Sequence, residues 1–367
     1  MVLSDPHMSE KDTIASLLTA LRDLPGVDAQ PPVYQPHPSH ADRGIDAEVR
    51  FDAGGKNYVL LVEVKKSVYP RDAQQVLWQL NRYLAAESGK DRKNFVPLLA
   101  AESISPGAKD LLKHENFGYF DTGGSLFIPA RGAYFYIDKP PPKTLEKSVR
   151  SLFKGKRSQV IHALLMRHKD WFGVKELAEL AEVSPATTSE TLTELERFEW
   201  LTARGQGPSK ERRLTEPGPL LDEWRKQITT AVGRISYRRY FVPGADVKSL
   251  TERLAELCET HQAEYVLTQE TAAQFYAPFL STISRVTCRI VPGRAADEAI
   301  GELGARVVTE GANFDVIETK THGEFLFKER KDSVWLASPV QVYLDLLRGG
   351  GRAMEMAEHL RRERIGF

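Results

Sequence analysis

Cysteine is almost missing from this chain. Cys258 and Cys288 are the only two in 367 residues, too few for a disulfide framework and without the paired spacing of a zinc site, so both read as interior thiols. Long apolar runs are missing as well: none approaches the roughly 20 residues that a membrane helix needs. Met1–Glu10 has no basic start followed by an apolar stretch, so it does not read as a secretory signal, and the expected location is the cytoplasm. Net charge is zero, with 50 Lys and Arg against 50 Asp and Glu. That balance excludes a uniformly basic nucleic-acid binder but not one with local basic patches, so the distribution decides. The nine histidines are scattered and give no ligand pair at helical spacing, so no histidine metal centre is expected.

What the chain does contain is 41% hydrophobic and 27% charged residues, the balance of a globular protein long enough for two or three domains. Ile14, Leu17, Leu18, Leu21 and Leu24 form a helical stripe closed by Pro25-Gly26. Gln30–His40 holds four prolines and reads as an extended loop. Asp46–Phe51 and Tyr58–Lys65 then form a hairpin through Ala53-Gly54-Gly55. A helix near Arg71–Ala86, a strand at Phe95–Ala101, a helix at Pro106–His114 and strands near Tyr119 and Leu126 complete a mixed α/β unit. Lys139-Pro140-Pro141-Pro142-Lys143 can continue neither a helix nor a central strand, which sets the first boundary. Three domains are expected, over 1–138, 139–240 and 241–367.

The middle domain reads as a winged helix-turn-helix. Ser158–His168, Val174–Ala181 and Pro185–Phe198 have helical periodicity, and Glu182-Val183-Ser184 is a tight turn between the last two. After Trp200-Leu201 comes a hairpin with its tip at Gly205-Gln206-Gly207-Pro208. Thr187, Thr188 and Ser189, with Thr191, give the third helix short hydroxyls suited to close approach to duplex DNA. Arg204, Lys210, Arg212 and Arg213 put a basic group on the wing, placed to reach backbone or minor groove. A second group, Lys147, Arg150, Lys154, Lys156 and Arg157, falls in a stretch without an acidic residue. Glu190, Glu194, Glu196 and Glu199 fit DNA binding only if they face away from it. The other use of such a module is protein contact.

In the first domain, Glu63 and Lys65 share one face of a strand whose opposite face carries Leu60, Val62 and Val64. A charged pair on so apolar a strand needs partners. Asp46, on the neighbouring strand, supplies a second carboxylate. Two such carboxylates hold a hard cation, and a lysine beside them orients or deprotonates a water that attacks phosphorus. Asp46, then Glu63-x-Lys65, in this order of elements resembles the PD-(D/E)xK restriction-endonuclease-like superfamily. The resemblance implies a mixed sheet flanked by helices, Asp46 and Glu63 as ligands of Mg²⁺ or Mn²⁺, Lys65 as the water-activating residue, and Gln75 or Gln79 near the site. Ile45 stands where that motif has proline.

In the last domain, Tyr265–Phe279 reads as strand, turn and helix, and Ala337–Leu347 is followed by Gly349-Gly350-Gly351-Arg352 and a helix over Ala353–Arg362. With the winged helix before them, and with Gly118-Tyr119-Phe120-Asp121-Thr122-Gly123-Gly124 in the first domain, these stretches resemble the AbiEi-type antitoxin and transcriptional-regulator family of type IV toxin–antitoxin systems. That resemblance implies a C-terminal α+β domain related to the nucleotidyltransferase fold and a nucleotidyltransferase-like toxin as partner. The chain lacks a Gly-Ser followed by an Asp-x-Asp pair, so no nucleotide transfer is expected. Asp345 is expected to face outward between Leu344 and Leu346, Arg352 to pair locally, and Tyr276 and Tyr343 to be core aromatics with satisfied hydroxyls. A homodimer through the C-terminal domain is an expectation without an assembly code behind it. Two functions therefore stand: a DNA-binding regulator of the antitoxin type, and a metal-dependent DNA endonuclease using Asp46, Glu63 and Lys65.

Overall fold

The computed structural model describes residues 9–34, 45–86, 94–140, 149–230, 236–319, 321–349 and 351–367. Lys147, Pro141, Pro142, Lys143 and Gly350 lie outside them, as does the segment from 35 to 44. The protein is mixed α/β, and no helix among the described residues is long and apolar enough to cross a membrane. It divides into two compact units, Met1–Val149 with Thr193–Glu199, and Arg150–Leu192 with Trp200–Phe367.

The first unit starts with α1 (Glu10–Arg22), whose N-terminus is closed by a capping box between Ser9 and Asp12, satisfying two otherwise orphaned amides. An eight-stranded sheet follows, in the order β1-β3-β4-β5-β6-β7-β8, with β2 paired to β3. Its members are β1 (Val27–Ala29), β2 (Val33–Tyr34), β3 (Ala47–Ala53), β4 (Lys56–Val68), β5 (Phe95–Ile104), β6 (Gly118–Asp121), β7 (Leu126–Ala130) and β8 (Ala133–Ile137). The short β2 lies inside the segment expected to be wholly loop. β3 and β4 are an antiparallel hairpin, β4, β5 and β6 run parallel, and β7 and β8 return antiparallel. The hairpin turns on Gly54 and Gly55, at φ of 60° and 76°, the two left-handed positions that a two-residue type I′ turn requires.

Residue alternation on β4 divides the core. Leu60, Val62 and Val64 pack with Ile14, Leu17 and Leu21 of α1. Leu61 belongs to the other face, covered by α2 (Pro70–Ala86) and α3 (Pro106–His114) through Val76, Leu80, Ala108 and Leu112. Each fully buried Leu or Val stabilises by about 1.5–3 kcal/mol relative to exposure. A one-residue slip of β4 would turn Leu60, Val62 and Val64 to the wrong face, so burial fixes the register that places Glu63 and Lys65. Gly118 starts β6 where a Cβ would lie 2.9 Å from the Pro97 carbonyl oxygen, so only glycine fits there.

The second unit opens with α4 (Gly155–Met166), α5 (Val174–Ala181) and the start of α6 (Pro185–Arg197), whose residues from Thr193 onward belong to the first unit. Helix α4 begins three residues before the expected Ser158. An antiparallel hairpin of β9 (Leu201–Arg204) and β10 (Glu211–Leu214) follows, and Phe172 adds a bridge to Arg212. After α7 (Pro217–Thr230) come seven strands, β11 (Arg238–Phe241), β12 (Tyr265–Leu267), β13 (Val286–Ile290), β14 (Arg306–Val307), β15 (Phe314–Glu318), β16 (Glu329–Lys331) and β17 (Val334–Leu336). They form one mixed sheet in the order β14-β11-β15-β13-β12-β17-β16. Helices α8 (Val247–Thr260), α9 (Gln269–Tyr276), α10 (Arg294–Glu302), α11 (Pro339–Leu346) and α12 (Arg352–Leu360) accompany it. Cys258 and Cys288 are both buried and unbridged.

Candidate functional site

Asp46 sits immediately before β3 and continues the hairpin ladder: its amide donates to the Val62 carbonyl at 2.9 Å. Its carboxylate Oδ2 accepts from the Val64 amide at 2.7 Å. The backbone of the Glu63-Val64-Lys65 segment therefore holds the Asp46 side chain in place. Glu63 is buried at 4% exposure and Lys65 half-exposed, with Nζ 2.6 Å from Glu63 Oε1. Burial pushes the Glu63 carboxyl above the usual glutamate range; Lys65 opposes this, the Asp46 charge adds to it, and the Gln79 amide stabilises the ionised form. Those perturbations place Asp46, Glu63, Lys65 and Gln79 in one neighbourhood. Gln75 is exposed on α2.

The donor set suits a divalent cation. Among the described residues Glu63 Oε2 is buried without a hydrogen-bond partner, and an unsatisfied buried carboxylate oxygen is costly unless something electropositive meets it. A cation shared by Glu63 and Asp46 meets that need with hard oxygen donors. Lys65 alone neutralises at most one of the two carboxylates.

The segment Gly118–Gly124 has a structural role. Asp121, 1% exposed, pairs with Lys109 Nζ at 2.7 Å and accepts the Ser125 amide at 3.1 Å, tying α3 to the turn after β6.

In the second unit, the residues expected to touch DNA separate into two groups. Lys154 and Lys156 are exposed, and Lys156 Nζ lies 3.3 Å from the Glu182 carbonyl. Arg157 donates to Ser151 at 3.2 Å and lies 3.8 Å from Glu190. Thr187 and Ser184 bond each other at the start of α6, and Ser189 is half-buried. Thr188 overturns the expectation: it is 0% exposed and faces the core, because Thr188, Thr191, Leu192 and Leu195 share one helical face. Thr191 is buried too and donates back to the Thr187 carbonyl. Of the acidic residues, Glu196 is buried against Arg71 within the first unit, while Glu190 and Glu199 are exposed.

On the hairpin, Arg212 is the second correction. It is 6% exposed, on the same face of β10 as buried Leu214, and its main chain exchanges hydrogen bonds of 2.8 and 2.9 Å with Phe172. Arg204 and Arg213 are exposed and lie over the Trp171 ring, at 4.3 and 4.9 Å from its centroid. Arg204 also pairs with Glu211 at 2.6 Å; Lys210 is half-exposed beside it. Sequence reasoning missed Trp171. It lies between two helices without periodicity, and the only signal was an aromatic beside a basic hairpin.

The third correction is Asp345. It is 1% exposed and accepts Nε and Nη2 of Arg289 at 2.8 and 2.6 Å. Thr268 and Gln341 donate to it at 2.6 and 3.0 Å. Arg289 also reaches Thr319 at 3.0 Å. Tyr276 satisfies its hydroxyl on the Ala337 carbonyl, whereas the Tyr343 hydroxyl is buried with no hydrogen-bond partner among the described residues. Arg352 pairs only loosely with Glu355, at 4.0 Å.

No family model, curated protein or solved structure matches this chain. Its function is therefore argued from the two constellations above.

Proposed function

We propose that the chain is a DNA-binding, divalent-cation-dependent nuclease whose first unit is restriction-endonuclease-like and whose second unit carries a winged helix. The observation that carries this reading is the pairing of Asp46 with the Glu63-Val64-Lys65 segment beside an unpartnered buried oxygen of Glu63. Asp46 and Glu63 would hold Mg²⁺ or Mn²⁺. A cation bound there supplies Lewis-acid stabilisation of the scissile phosphate and a more acidic water. Lys65, half-exposed, presents an ammonium that orients the attacking water or a phosphate oxygen, and Gln79 fixes the Glu63 carboxylate. Calorimetric titration of the chelated, full-length protein with Mn²⁺ tests the site. Saturable binding that is lost in Asp46→Asn is expected; binding that the substitution leaves unchanged counts against the assignment.

The winged-helix reading is supported by the exposed Arg204 and Arg213 on the hairpin. The Arg213 guanidinium gains roughly 0.5–1 kcal/mol from the exposed aromatic face, less than the ~1.5–3 kcal/mol of a charge-assisted hydrogen bond, so phosphate outcompetes the indole there, whereas Arg204 must also leave Glu211. Arg213→Ala is expected to weaken duplex binding about equally for all sequences and to lower the slope of log affinity against log salt by about one. Arg212→Ala, by contrast, should lower stability and leave that slope alone. Fluorescence anisotropy at several salt concentrations and urea unfolding separate the two.

The regulator of the antitoxin type, with a nucleotidyltransferase-like toxin as partner, is the second reading. The hairpin arginines favour it as much as they favour a nuclease. It needs no cation at Asp46 and Glu63.

A further inference from the structure

A cavity of about 580 Å³ lies in the second unit along the first turns of α4, within the size range of small-molecule sites. One part of its wall is apolar and aromatic, formed by Phe153, Trp224, Ile228 and Leu344. The Phe153 and Trp224 rings are 6.0 Å apart.

The polar lining is sorted by charge. Asp345 is neutralised by Arg289, whereas Glu324, which accepts the Thr321 hydroxyl, keeps its charge, and His322 lies 3.6 and 3.5 Å from Glu182 and Glu264. His162 is fully buried, its Nε2 2.6 Å from Ser338 Oγ, and burial holds its pKa down to about 4, so it is neutral. Two exposed cations on the lining remain. Lys156 has only the Glu182 carbonyl, and Arg348 has no ion-pair partner among the described residues. Gln159 lines the same cavity at 6% exposure, with no hydrogen-bond partner on Nε2 among the described residues.

An aromatic wall, a buried amide donor without a partner among the described residues, and Lys156 and Arg348 against the one remaining carboxylate of Glu324 leave a lining of net positive charge that favours an aromatic anion. We propose that this cavity is a binding site for a small aromatic anion: a planar ring against Trp224 and Phe153, an acceptor atom facing Gln159, and a phosphate or carboxylate at Lys156 and Arg348. Aromatic stacking and charge-assisted hydrogen bonds then act on opposite ends of one molecule. The site shares no residue with the Asp46, Glu63 and Lys65 centre; of the residues expected to touch DNA it uses Lys156.

Isothermal titration calorimetry of the full-length protein tests it, with the four nucleoside monophosphates, indole-3-acetate and inorganic phosphate as separate titrants. Saturable binding of at least one aromatic anion is expected, weakened tenfold or more in Lys156→Ala and in Arg348→Ala. Both side chains are exposed, so folding is not at stake, and Arg294→Ala, at an exposed position outside the lining, should bind as wild type does. Binding of the monophosphates identifies phosphate as the anionic group, and binding of indole-3-acetate a carboxylate. The proposal is overturned by no saturable binding of any aromatic anion at millimolar concentration, by unchanged affinity in both variants, or by binding of inorganic phosphate alone.

Discussion

Asp345→Ala should lower the unfolding free energy of the second unit by about 3–5 kcal/mol, the cost of breaking a buried ion pair from one side. The substitution removes both acceptors of the Arg289 guanidinium, which is 6% exposed and keeps only Thr319. Arginine cannot escape by losing its proton. Thr268 and Gln341 lose their acceptor in the same step, each a buried donor left unpaired. Asp345→Asn, which retains one acceptor oxygen, should cost clearly less. Urea unfolding followed by tryptophan fluorescence measures both, and a loss under 1 kcal/mol in the alanine variant would contradict the account of this cluster.

Glu63→Gln and Lys65→Ala should each reduce cation-dependent DNA cleavage by at least 10³-fold, about 4 kcal/mol of transition-state stabilisation. Glutamine has the shape of the glutamate but not its charge, so Asp46 alone remains to hold the cation. Stability should move the opposite way. Because burial raises the Glu63 pKa, the native state holds a proton that the unfolded chain has already released above the ordinary value of 4.5. The contribution of Glu63 to stability is thus largest below that value and is lost as pH rises through the raised pKa. Glu63→Gln removes this loss. Its unfolding midpoint relative to wild type should therefore rise between pH 4 and pH 8, as expected where a functional carboxylate is held at a cost to the fold.

The parts of the fold written locally were legible. Gly54-Gly55 between alternating apolar runs announced the β3–β4 hairpin, and strand alternation put Glu63 and Lys65 opposite Leu60, Val62 and Val64. Asp46 could be chosen because it falls on the adjacent strand. What failed was the reading of chemistry over geometry. The Thr188 hydroxyl suits DNA contact, but extending the Leu192 and Leu195 stripe back by one turn places it in the core. The Arg212 charge suits it too, but strand alternation couples it to Leu214. Asp345 was not legible at all. Every residue of α11 from Pro339 to Leu346 is buried, so a helix expected to have an outer face has none, and its partner Arg289 lies 56 residues away on a strand paired through the sheet. The stack of the β9–β10 hairpin arginines on Trp171 and the cavity beside α4 likewise join segments that sequence spacing does not connect.

The central claim is that Asp46, Glu63 and Lys65 form a working phosphodiesterase centre. Its most direct measurement is cleavage of supercoiled plasmid and of single- and double-stranded oligonucleotides by purified wild-type and Lys65→Ala protein, with Mg²⁺, with Mn²⁺ and with chelator. The account predicts nicking or cutting that requires the cation and disappears in Lys65→Ala while the variant stays folded and still binds duplex DNA. Cleavage that persists in Lys65→Ala, or a wild-type protein that binds duplex DNA yet cleaves none of these substrates with either cation, would contradict it.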